Sequence, residues 1–294
     1  MQTGSRAPRT LLVPDGQADL HVADMTATFS ASLTLQSAQE MLARHGQWLA
    51  IDGEAQRTLD DLVSTNSTGP LRLSFGGWRD QLLGVQFYNG KDELITVGGR
   101  TMKNVAGYDV TKLMVGQRGV FGRIATITVR TYLRPAGAVL ARFAPDVRLL
   151  PRLLPTRLRP QWAMLSPDGL FCGYLSDERT LSFYRRELEN ERPLEIAARP
   201  LEDDIHQRQA MWRTQGDLPG FRASIPPARV MEFTAAIGPR PWVADAALGI
   251  VLGSYHDQED AALVRSSAQA AGGTVMLFDR DARLIEYPTH PAER

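Results

Sequence analysis

The chain has 294 residues, 43% of them hydrophobic, enough to bury a full core and most simply read as two domains. Its 33 basic and 33 acidic residues cancel, so it lacks the electrostatic footprint of a nucleic-acid or anionic-membrane binder. A single cysteine, Cys172, excludes an intrachain disulfide and an iron–sulfur cluster ligated by this chain alone.

The histidines, His21, His45, His206, His256 and His290, are too far apart for metal spacing, so no metal site is expected. The start, Met1-Gln2-Thr3-Gly4-Ser5-Arg6, lacks the apolar stretch of a secretion signal, and no run approaches bilayer length. The expectation is a cytoplasmic protein that meets the inner face of a membrane only through partners.

Residues 1–20, with Pro8 and Pro14-Asp15-Gly16, read as a loose lead-in. From His21 the pattern alternates: Ala23, Met25, Ala27 and Phe29 would share one strand face, and Asp24, Thr26 and Thr28 the other. Thr34 is placed to cap a helix carrying Leu35, Ala38 and Leu42 along one side, stopped by Gly46. Strands are expected at 71–75 and 83–88, with Asn89-Gly90 turning into a hairpin partner at 93–97. A short helix over 109–115 would end at Gly116, and the β-branched run 124–133 reads as a strand closed by Pro135.

After Arg134-Pro135-Ala136-Gly137 the character changes. Strands are expected at 138–143, 162–166 and 170–175, the last two joined by Pro167-Asp168-Gly169. Ser176 or Asp177 can cap a helix running to Asn190. Helices at 201–215, 228–237 and 258–271 alternate with strands near 221–225, 246–252 and 274–278. No internal repeat is visible, and the end from about Arg283 reads as a frayed tail.

The chemistry-bearing segments form a collinear series. His45-Gly46-Gln47-Trp48-Leu49-Ala50-Ile51-Asp52 is followed by Leu62-Val63-Ser64-Thr65-Asn66-Ser67-Thr68-Gly69-Pro70, then by Phe75-Gly76-Gly77-Trp78-Arg79-Asp80. Gly98-Gly99-Arg100-Thr101-Met102-Lys103-Asn104-Val105-Ala106-Gly107-Tyr108-Asp109 leads to Gly116-Gln117-Arg118-Gly119-Val120-Phe121-Gly122. One such motif is weak, but several in order at matching spacing are strong. Over roughly residues 21–135 the chain resembles the FAD-binding domain of the vanillyl-alcohol-oxidase (PCMH-type) superfamily, most closely the E-type FAD-binding subunit of glycolate oxidase.

The resemblance implies an α+β fold: a PCMH-type domain over 21–136, reduced to its second subdomain, then a ferredoxin-like α+β domain over 137–294. It implies FAD as cofactor. The contacts would come from Thr58, from the hydroxyl-rich turn Ser64, Thr65, Asn66, Ser67, Thr68 and Gly69, and from Gly119, Gly122 and Ile124, where the adenine and ribose half would lie against main chain. It implies oxidation of a small 2-hydroxy acid to the 2-oxo acid, with a catalytic flavoprotein and an iron–sulfur subunit as sibling partners. No catalytic residue is assigned.

Three departures accompany the likeness. The family has a further subdomain with a Gly-rich diphosphate loop before the region matching His21, where about twenty residues stand here. Thr58-Leu59-Asp60-Asp61 replaces the family's T-L-G-G, bringing carboxylates towards an anionic diphosphate. Gln117-Arg118 replaces Ser-Glu. These departures support a second expectation, a non-catalytic scaffold subunit that has lost the cofactor, and a third, in which a separate chain supplies the missing half.

Plainer roles stand beside these. The hydroxyls of the 64–69 turn can bond their own backbone, and Gly116, Gly119 and Gly122 can be a helix stop and a strand entry. Asp109 is as well read as a helix cap and Tyr108 as a core aromatic as members of a cluster with Lys103. Asp60-Asp61 and Glu202-Asp203-Asp204 are read as solvated carboxylates near helix starts. Cys172 reads as a small core hydrophobe, and Trp162, Trp212 and Trp242 as packing residues.

Overall fold

A computed structural model describes residues 13–99, 110–212, 218–280 and 283–286. Lys103, Tyr108 and Asp109, with the 100–109 part of the resemblance, lie outside the described residues. The chain divides into two units, Met1–Arg134 and Pro135–Arg294.

In the first unit β1 (Ala18–His21) turns through Val22–Asp24 and Met25 into β2 (Thr26–Ser30). The alternation expected from Ala23 therefore begins three residues later, because Met25 takes a left-handed φ of 53°, and part of the expected lead-in is strand β1. Helix α1 (Leu35–Ala43) starts where Thr34 Oγ1 accepts the Ser37 N–H at 3.1 Å. After β3 (Gln47–Trp48) come α2 (Leu59–Ser64), α3 (Arg72–Phe75) and α4 (Trp78–Gln81). The strand expected at 71–75 is thus a helical turn. Arg72, Leu73 and Ser74 donate in succession to the carbonyls of Gly69, Pro70 and Leu71, and Leu71/Leu73 alternation over so few residues does not specify a strand.

Strands β4 (Leu82–Tyr88) and β5 (Leu94–Gly98) form the expected hairpin, though its left-handed residue is Asp92, not Gly90. Helix α5 (Val110–Leu113), β6 (Arg123–Arg130) and β7 (Tyr132–Leu133) complete the unit. The order is β1-β2-β6-β4-β5, an antiparallel five-stranded sheet, with β3 and β7 paired separately. Period-2 alternation gives it one apolar face. Phe29, Ile127, Val85 and Phe87 pack there with Leu35, Leu42, Leu59 and Leu62 of α1 and α2 in one core. On the other face Thr28 and Thr128 share a 2.9 Å hydrogen bond, and Thr126 donates to Gln86 at 2.8 Å.

The second unit runs β8 (Gly137–Phe143), α6 (Leu150–Leu153), β9 (Trp162–Ser166), β10 (Gly169–Ser176), α7 (Glu178–Leu188) and β11 (Glu195–Arg199). After α8 (Leu201–Met211) follow β12 (Gly220–Ser224), α9 (Val230–Ala236), β13 (Trp242–Asp245), β14 (Ile250–Ser254), α10 (Gln258–Ala270), β15 (Thr274–Phe278) and β16 (Leu284–Glu286). The antiparallel nine-stranded sheet is ordered β11-β8-β10-β9-β13-β14-β12-β15-β16.

That order contains a repeat that the sequence hides. β8-α6-β9-β10-α7-β11 and β12-α9-β13-β14-α10-β15 are both βαββαβ units with the first strand between the third and fourth, joined edge to edge by β9 and β13. Each half is ferredoxin-like. The repeat is topological, carried by apolar alternation rather than by matching residues. The expected tail also begins differently, since β16 pairs with β15.

Asp204 corrects a further expectation. It is fully buried, ion-paired to the equally buried Arg208 one helical turn on, and accepts the Trp162 indole N–H at 3.2 Å. Glu202 and Asp203 alone match the solvated reading. Cys172 is buried, and burial pushes its thiol far above the ordinary range, so it is an inert core residue.

Candidate functional site

The site begins at α2. Thr58 Oγ1 accepts the Asp61 N–H at 3.2 Å, so this hydroxyl is spent as a helix cap. Asp60 and Asp61 occupy the first turn, where the helix dipole favours acids. The helix stops at Thr65, Asn66 reverses the chain at φ 52°, and the Ser67 N–H closes back on the Leu62 carbonyl at 2.9 Å.

Arg57 clamps this turn. Its guanidinium pairs with Asp61 and donates to Thr65 Oγ1 at 2.8 Å and Ser67 Oγ at 3.1 Å. Trp78, fully buried, donates its indole N–H to the Ser67 carbonyl at 2.9 Å. The Thr65 hydroxyl itself donates to the Asp61 carbonyl at 2.6 Å. Removing the clamp, Arg57→Ala, is expected to cost about 1–3 kcal/mol, because three polar partners lose one charged donor. A shift in the urea midpoint with an unchanged slope would show it, and an unshifted midpoint would contradict the clamp.

The second wall is the segment from Gly116 to Arg123. Gly116 donates to the Val63 carbonyl and Arg118 to the Ser64 carbonyl, both at 2.9 Å, which laces this segment to the turn. Gln117 is buried and staples the loop, donating to the Gly122 carbonyl at 3.0 Å and accepting the Phe121 N–H at 2.9 Å. Gly122, at φ 130°, passes so close to the hairpin that an added Cβ would lie 1.9 Å from the Tyr88 carbonyl oxygen. Gly119, at φ 86°, is the opposite case: a Cβ there would meet no atom within 4 Å.

Between the walls lies a groove of about 430 Å³. Of the residues expected at the site it brings together Ser64, Gly119 and Gly122, and it adds Asp60, Tyr88, Asp92 and Arg123. The Arg123 guanidinium lies over the Tyr88 ring, 4.9 Å from its centroid. Burial first, and the neighbouring Asp61 charge second, hold the Asp60 carboxyl above its ordinary range, while Arg123 pulls the other way.

The remaining expected residues stand elsewhere. Thr58, Thr65 and Ser67 serve the turn. Asn66 is exposed and Thr68 half-buried. Gly69 is packed on Asp52, where a Cβ would fall 2.5 Å from the aspartate Cβ. Ile124 is in the hydrophobic core. Arg123 was missed because a lone arginine opening a β-branched run carries no motif; the Asn89-Gly90 turn beside it was the available signal.

A dinucleotide cofactor needs open main chain and a donor set for its phosphates. The open approach at Gly119 and the Arg123 guanidinium provide both, with the Asp60 carboxylate as the opposing charge. The groove fits such a group on its inner wall.

No family model matches the chain. The glycolate oxidase subunit GlcE of Escherichia coli is 32% identical over 123 residues, 40% of this chain and 35% of that protein. The mitochondrial D-lactate dehydrogenase [cytochrome] of Arabidopsis thaliana is 27% identical over 122 residues, 42% of this chain and 22% of that protein. An uncharacterized FAD-linked oxidoreductase of Mycobacterium tuberculosis is 27% identical over 148 residues, 48% of this chain and 32% of that protein. These matches span about a third or less of each relative's length. A solved alkyldihydroxyacetonephosphate synthase superposes with a TM-score of 0.66 at 12% identity, covering 86% of this chain and 60% of that one.

The chain has a mixed α+β fold similar to that of PCMH-type FAD-binding proteins. Within the PCMH-type unit, the motif residues that make the likeness readable act mainly as scaffold. The Asp52 carboxylate accepts the Leu71 N–H at 2.7 Å, Asp80 accepts the Gly77 N–H at 2.8 Å, and Trp78 holds Ser67. Among the described residues no helix is long and apolar enough to cross a membrane.

Proposed function

We propose that this chain is the FAD-binding component of a 2-hydroxy acid oxidase complex of the glycolate oxidase type. The observation that carries the reading is the single groove shared by the Ser64 turn and the glycine-edged entry to β6. Relatives named as a glycolate oxidase subunit, D-lactate dehydrogenases and FAD-linked oxidoreductases support it.

Bound FAD would supply the two-electron acceptor that turns the 2-hydroxy acid into the 2-oxo acid. The chain's own residues would do the holding. Gly119 lets the main chain come close to the ligand, Arg123 offers a cation to its phosphates, and the Arg57–Trp78 clamp keeps the Ser64 wall rigid. With one cysteine in 294 residues, onward electron transfer would fall to an iron–sulfur subunit, and a sibling flavoprotein completes the assembly.

The test is purification from the native source with flavin extraction, followed by addition of glycolate or D-lactate under anaerobic conditions. The expected result is releasable FAD on this chain, alone or in its complex, bleached by the 2-hydroxy acid. A complex whose flavin is carried wholly by other subunits would overturn the reading in favour of the scaffold subunit, the role towards which Asp60 in the groove leans.

A further inference from the structure

Arg123 is exposed at the mouth of the groove, and its close contact is the flat face of Tyr88. A guanidinium resting on a ring loses part of its hydration and keeps a fixed plane, which suits bidentate bonding to a phosphate. The acids answer it only at range: Asp60 from α2 and Asp15 both feel its charge, and Asp15 is already engaged by Ser30 and Ser32. Arg123 is thus the cation of a groove that also holds Asp60 and Asp92.

We propose that Arg123, laid over Tyr88, is the specificity-determining residue that grips the phosphates of a nucleotide in this groove, and that Asp60 sets how tightly they are held. This rests on the cofactor reading above and adds to it a residue outside the quoted motifs. Ligands carrying phosphates, FAD or ADP, would depend on Arg123; riboflavin, which has none, would not. Asp60 works in the opposite sense, because its charge repels the phosphates that Arg123 attracts.

Burial and the neighbouring Asp61 charge hold the Asp60 carboxyl above its ordinary range, so lowering the pH neutralises it while the diphosphate of FAD stays charged. Affinity for FAD therefore rises as pH falls through that range. The other charged and titratable groups facing Asp60 are set apart from it by their contacts: Asp61 is paired with Arg57, the Arg123 guanidinium lies over the Tyr88 ring, and Asp92 sits exposed on the hairpin turn.

The experiment is a titration of the purified chain with FAD, ADP and riboflavin from pH 4.5 to about pH 8, comparing wild type, Arg123→Gln, Arg123→Lys and Asp60→Asn. Melting curves on all four confirm that each is folded. Arg123→Gln is expected to weaken FAD and ADP by about 10- to 100-fold and riboflavin by less than about twofold, with Arg123→Lys in between. Asp60→Asn should tighten FAD by about three- to tenfold at pH 7 and flatten its pH dependence.

Equal losses for riboflavin and FAD in Arg123→Gln, or no loss in either, would overturn the proposal. If ADP follows the expected pattern while no flavin binds, the phosphate grip stands and the flavin reading falls. If none of the three ligands binds at any pH, both fall together.

Discussion

Asp204→Ala is expected to destabilise the second unit by about 3–5 kcal/mol, the cost of taking the carboxylate from a buried ion pair. Arg208 is 1% exposed and cannot reach water to recover its hydration. The same substitution also strands the Trp162 indole N–H, which donates to Asp204, and Trp162 is fully buried with the Arg208 guanidinium 5.9 Å from its ring. Urea denaturation of the variant measures the loss. The double variant Asp204→Leu with Arg208→Met removes both charges and should recover most of it, because the pair is costly chiefly when broken. A single variant that loses less than about 1 kcal/mol would mean that the pair is hydrated in solution.

Gly122→Ala is expected to cost about 3 kcal/mol or more and to abolish ligand binding together with the lost stability. The Cβ would collide with the Tyr88 carbonyl oxygen, which is backbone and cannot swing aside, and φ 130° is closed to alanine. Tyr88 and Arg123 are paired neighbours on β4 and β6, so relief of the clash moves both walls of the groove. Gly119→Ala is the control. Its left-handed φ costs about 1 kcal/mol, but its Cβ enters open space. Chemical denaturation of both variants decides the matter, and equal small losses would contradict the tight approach at Gly122.

Much of this was legible in the residues because the motifs encode the scaffold. Asp52, Trp78 and Asp80 recur in the resemblance and each fixes local backbone, Asp52 at Leu71, Asp80 at Gly77 and Trp78 at Ser67 of the turn. The ligand-facing groups were harder to read. Thr58, Thr65 and Ser67 look like donors in sequence, yet each hydroxyl is engaged by helix capping or by Arg57. Ile124 faces the core because the β6 register turns it inward beside Phe87.

Arg123 and Tyr88 meet only through strand pairing 35 positions apart, which no local pattern reports. Asp204 failed for a related reason. Three successive acids at a helix start suggest solvent, and only the tertiary position of Trp162 and Arg208 turns one of them inward. The 71–75 segment and the hidden βαββαβ repeat show the same limit: short apolar alternation does not name the element, and topology can repeat where residues do not.

The account turns on the turn at Ser64 and the entry at Gly119 acting as two sides of one binding surface. Hydrogen exchange with and without FAD, resolved at the peptide level, tests this most directly. Added FAD should slow exchange in residues 59–67 and 116–124 together, at one common midpoint, while the two βαββαβ halves of the second unit are unaffected. Saturating FAD that protects only one of the two segments, or protects neither, would contradict it.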